Sequence, residues 1–102
     1  MCKKELFERI LNLVIIESEV GEGILQNSKI KTREVVDARY LLIHFLHDND
    51  YAGFDAAYIA RALEMTPQGV RQIISGFDER KEQSGKIFEI TYKRIQNALE
   101  RK

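Results

Sequence analysis

Thr66, Gln68, Arg71, Gln72 and Ser75 stand at spacings that one helix turns to its N-terminal end and a single exposed side. Their chemistry is hydrogen bonding plus one fixed positive charge. The Arg71 guanidinium can fork onto guanine O6 and N7, and the carboxamide of Gln68 or Gln72 can pair with adenine N6 and N7. The hydroxyls of Thr66 and Ser75 suit phosphate oxygens, Thr66 with help from the positive end of a helix dipole. Gly69 carries no side chain and would let a ligand approach the backbone closely. No carboxylate lies between Thr66 and Phe77, where it would repel phosphates.

Positioning these groups requires two short helices. Within AAYIARALEMTPQGVRQIIS, residues 56–75, the apolar positions Ile59, Leu63, Met65, Val70 and Ile73 supply contacts for helices crossing over a common core. Ala60 is small where the helices must approach. Asp55 is an N-cap for the first helix, which runs to about Glu64. Thr66 caps the second, and Pro67 fills a first-turn position whose missing N–H is harmless. The pattern is that of a helix-turn-helix, whose second helix commonly enters a DNA major groove. Glu64 stands at the turn position where glycine is commonest. The rival reading is a plain helical hairpin or a protein-binding module.

The rest of the chain reads as three more helices and no strand. A first helix from Lys3 to about Val20 carries Leu6, Phe7, Ile10, Leu11, Leu13 and Val14. Gly21 and Gly23 end it, and a loop follows with apolar anchors at Ile24 and Leu25. A second begins at Thr32 and carries so much apolar surface, from Val35 to Leu46, that it must be central. The fourth helix continues past Ser75, with Val70, Ile73, Ile74 and Phe77 on its stripe, and Gly76 weakens its later part toward a kink or break. Ser84 and Gly85 bound a last helix from Lys86 to about Arg101 with Phe88, Tyr92, Ile95 and Leu99 on one stripe. The expectation is one compact five-helix all-α domain over residues 1–102.

A second polar constellation precedes the second helix: Asn27, Ser28, Lys29, Lys31, Thr32 and Arg33, then Arg39 further in. Basic residues on a loop at a helix N-terminus can grip a phosphate backbone or reach into a minor groove. The alternative is a solvated loop whose field Glu34 and Asp37 dilute. The basic end of the chain around Lys93 reads as a solvated helix face. His44 and His47, with Asp48 adjacent, have the spacing of a metal pair, but no further His or usable Cys completes a site. No phosphate loop or activated nucleophile is present. Neither a metal, a cofactor, a small-molecule substrate nor an enzymatic activity is expected.

Sixteen basic side chains cancel sixteen acidic ones over the 102 residues. Counterion release supplies most non-specific DNA affinity. A neutral chain is therefore expected to bind DNA weakly and salt-sensitively unless it dimerises. No apolar run approaches the roughly 18 residues of a membrane span, and the N-terminus lacks a signal-peptide pattern. The lone Cys2 fits a reducing cytoplasm.

The stretch KIKTREVVDARYLLIHFL, followed by a loop and YIARALEMTPQGVRQIIS, resembles the C-terminal DNA-binding domain of the bacterial chromosomal replication initiator DnaA, a relative of Trp-repressor-like helical domains. The likeness runs from about Leu6 to Leu99. It implies an all-α fold that binds double-stranded DNA by major-groove insertion and a minor-groove contact from the basic loop. On that likeness Lys29, Lys31 and Arg33 match the basic loop, and Arg39 the arginine of the long helix. The family's Arg-Asp-His-Thr-Thr-type run is replaced here by Met65, Thr66, Pro67, Gln68 and Gly69, so a different target sequence is expected. With no ATP-binding module in these residues, the expectation is a small DNA-binding protein of transcription or replication control, of mobile-element type. The rival is an interaction or self-association module that kept the fold and lost DNA, with the first helix as its interface.

Overall fold

Helix α2 (Arg33–His47) is the spine, because its apolar residues recur on more than one face. Val35, Ala38, Leu41, Leu42, Ile43, Phe45 and Leu46 are all buried, and α2 touches each of the other four helices. The computed structural model describes residues 2–21, 23–27 and 29–100; Ser28 and Arg101 lie outside them. Around the spine stand α1 (Lys3–Ser18), α3 (Ala56–Ala62), α4 (Pro67–Ser75) and α5 (Phe77–Glu100). No strand occurs among the described residues. The Cα radius of gyration is 12.4 Å, close to the roughly 13 Å of a compact 100-residue domain. No helix is long and apolar enough to cross a membrane, among the described residues.

The core follows the helical stripes. Phe7, Ile10, Leu11 and Val14 of α1 are buried against α2, with Leu13 half-exposed. Phe45 sits at the centre of an aromatic cluster, stacked on Tyr92 at 5.2 Å and edge-on to Tyr51 at 5.1 Å. Phe54 and Tyr58 close the other end against Phe7. These contacts explain why Tyr51, Tyr58 and Tyr92 are half-buried: each ring packs on the core from its edge.

Three boundaries differ from the sequence reading. Helix α1 stops at Ser18, before Gly21. Glu19 takes the left-handed conformation (φ 56°), and the Val20 N–H returns to the Ile15 carbonyl. Helix α4 ends at Gly76, whose N–H bonds to the Gln72 carbonyl, and Phe77 then turns into the core to stack on His44 at 3.9 Å. Residues 77–84 therefore join the last helix, across a kink at Gly85 (φ 78°, ψ −158°) in a region open essentially to glycine alone. Thr32 occupies the N-cap position of α2, but its side chain makes no cap bond.

Candidate nucleic-acid interface

The turn between α3 and α4 is built by local chemistry. Asp55 accepts from the Tyr58 N–H at 2.8 Å and caps α3. The helix closes with Glu64 at φ 55° and the Met65 N–H on the Ala60 carbonyl at 2.8 Å, a Schellman-type bond. Glutamate thus occupies a left-handed position that glycine would fill without strain. Thr66 Oγ1 then accepts from the Gly69 N–H at 3.0 Å, and Pro67 has no N–H to satisfy. A Cβ on Gly69 would stand 3.1 Å from Thr66 Oγ1, so the glycine also keeps this cap uncrowded.

Helix α4 buries Val70 and packs Ile73 and Ile74 against the core. Thr66, Gln68, Arg71, Gln72 and Ser75 are exposed, and Gly69 is half-exposed. The Thr66 hydroxyl accepts the cap bond and keeps its own proton free to donate. Ser75 differs: its Oγ donates to the Arg71 carbonyl at 2.9 Å. Its proton is committed to the helix, so a donor role toward phosphate would need that bond broken.

The basic loop divides. A groove of about 480 Å³ between the loop and α4 is lined by Lys31, Tyr40, Glu64, Thr66, Gly69 and Gln72, among others. A second, of about 460 Å³, brings Lys29 and Asn27 to Glu64. Lys29 and Lys31 are thus exposed beside the turn and the first part of α4. Arg33 is exposed too, but its guanidinium donates to the Ser84 carbonyl at 3.3 Å and is drawn toward α5.

Arg39 corrects the sequence reading. It is only 5% exposed. Its guanidinium donates to the carbonyls of Asn27 (2.8 Å), Ile30 (3.1 Å) and Leu25 (3.3 Å), and burial lowers its pKa. A guanidinium so committed organises the loop from within, and only its edge lines the groove beside α4. The reason is reach: the side chain is long enough to gather three carbonyls of the loop above α2 on one guanidinium.

Asp37 also acts differently from its sequence role as a diluting charge. It accepts from Arg80 Nε at 2.7 Å and from Ser84 Oγ at 2.9 Å. Its charge is matched across the helix pair and adds little repulsion at the loop. Glu64 and Tyr40 are polar members of the first groove that the sequence reading did not place at the site. A non-glycine residue at the tight turn was the one signal pointing to Glu64, and Tyr40 gave none.

The two histidines are engaged separately. His47 Nδ1 donates to the Phe54 carbonyl at 3.0 Å, while His44 stacks on Phe77 and lies 3.9 Å from the Asp48 carboxylate. Among the described residues no group of three metal-ligating side chains occurs. No family model, curated protein or solved structure matches the chain.

Proposed function

We propose that the protein is a non-enzymatic, double-stranded DNA-binding protein that uses α3 and α4 as a helix-turn-helix. The observation that carries this reading is the exposed side of α4: Gln68, Arg71 and Gln72 with Thr66 at its start, with no carboxylate on the helix itself, and Lys31 across a groove whose one carboxylate is Glu64 of the turn. Arg71 and the two glutamines would read base edges, each good pairing contributing about 1–3 kcal/mol of discrimination. Lys29 and Lys31 would hold the backbone beside them, with Arg33 joining if it leaves Ser84. Arg39 would act indirectly, by shaping the loop that presents the lysines. The resemblance to the DnaA C-terminal domain supports the same docking, with a target sequence of its own.

Fluorescence anisotropy of a mixed-sequence duplex, titrated across salt, tests the proposal. Arg71→Ala is expected to relax sequence preference, whereas Lys31→Ala weakens all duplexes alike and reduces the log–log salt slope by about 1. Absence of binding at low salt up to roughly 10⁻⁴ M, the edge of ordinary non-specific affinity, would defeat it. The second reading, an interaction module, is favoured by one observation: a cluster of exposed isoleucines away from α4.

A further inference from the structure

We infer that the face formed by the end of α1 and the middle of α5 is a self-association surface that takes a second copy of this chain. The large hydrophobic side chains that stand exposed among the described residues are Ile16 (66%), Ile87 (80%) and Ile90 (50%). Single exposed apolar residues are ordinary. These three are not scattered: all line one groove of about 330 Å³ between α1 and α5. Exposed apolar side chains gathered at one place and rimmed by charge suit a contact with another polypeptide.

The rim selects the occupant. Glu17 and Glu19 stand on the α1 side of the groove and Arg94 on the α5 side. None of the three has an ion-pair partner within 4.0 Å among the described residues, whereas neighbouring Lys93 is already paired with Glu89 at 3.3 Å. A two-fold contact whose axis runs along the groove would bring the α1 side of one copy to the α5 side of the other, so that each Arg94 meets the partner copy's acidic pair and the isoleucines close over one another. A partner of one charge sign would meet repulsion from one side of the rim. A second copy satisfies both sides. Zero net charge removes the long-range repulsion that keeps many proteins monomeric.

Three isoleucines and a three-charge rim make a small contact, so the dimer is expected to be weak and concentration-dependent. The inference is independent of the DNA reading. If that reading holds, pairing would double the phosphate contacts of a neutral chain.

Sedimentation velocity of the full chain without DNA, over roughly 5–500 μM, a range suited to weak association, tests it. The weight-average mass is expected to rise from 11.9 kDa toward twice that value. Ile87→Asp, at a position outside the core, is expected to weaken association at least about tenfold, since a charge at the centre of a closing apolar contact loses its water. Arg94→Glu should weaken it as well, and adding Glu17→Lys and Glu19→Lys to that variant should restore it. A mass fixed at the monomer value would overturn the inference, as would association unaffected by Ile87→Asp. Failure of the charge-reversed variant to recover, or growth beyond the dimer, would overturn the two-fold arrangement. Circular dichroism of each variant confirms that the helices are retained.

Discussion

Replacing Arg39 by methionine separates a loop-organising arginine from a ligand-facing one. Methionine keeps an unbranched apolar stem in the same space, so the loss is that of the guanidinium and its bonds to Leu25, Asn27 and Ile30. Hydrogen bonds to a charged group contribute about 1.5–3 kcal/mol each in favourable geometry. One of these is long at 3.3 Å, and the released carbonyls of Asn27 and Ile30 can regain water. About 1 kcal/mol per bond is therefore the conservative figure, for a total near 3 kcal/mol. The loss is bounded above by the free energy of releasing the loop, which includes the fully buried Leu25. At roughly 4–8 °C per kcal/mol for a domain of this size, Tm should fall by roughly 12–24 °C. Thermal and urea unfolding followed by circular dichroism read this directly. Arg39→Lys should recover only part of the loss, because an ammonium cannot span three carbonyls as a planar fork does. A methionine variant with the parent's Tm but weakened duplex binding would refute the reasoning and put Arg39 on the ligand side.

Two other perturbations probe the same architecture. Burial is the main cause that lowers the His44 pKa, opposed by Asp48 and Asp78. The unfolded chain therefore binds a proton near pH 6.5 that the folded chain takes up only at lower pH. Stability should be full above that value and fall as pH drops toward the folded pKa. His44→Leu should flatten this acid limb in urea titrations, and an unchanged slope would assign it to other groups. At Gly85 a Cβ would meet nothing within 4 Å, so Gly85→Ala isolates backbone strain. It should cost about 1–3 kcal/mol, and an equally stable variant would mean that the kink readily relaxes into continuous helix.

The parts of this fold that depend on near neighbours could be read from the residues alone. Asp55, Thr66 and Pro67 act within three or four positions, and they begin α3 and α4 where their chemistry says. The 3.6-residue period turned Val70 inward and Gln68, Arg71 and Gln72 outward, since one helix sorts its own faces. The prominence of α2 followed from its apolar breadth. Long, flexible side chains were another matter. Periodicity cannot tell whether Arg39 turns to water or to carbonyls 9–14 residues away, nor that Arg33 reaches Ser84 across 51 residues. Pairing of Asp37 with Arg80 and Ser84 likewise exists only because α2 and α5 lie side by side.

The break at Gly76 shows the division most sharply. Apolar spacing carries the helical pattern straight through Val70, Ile73, Ile74 and Phe77, and a weak helix former alone does not end a helix. It ends there because Phe77 buries its ring against His44 and Phe88, a gain that only the packed arrangement offers. The sequence by itself determined the helical class, the caps of α3 and α4 and the polar face of α4, all set by interactions within a few turns. The tertiary structure decided which charges remain available at the surface, because long-range hydrogen bonds compete with solvent for every arginine that can reach them.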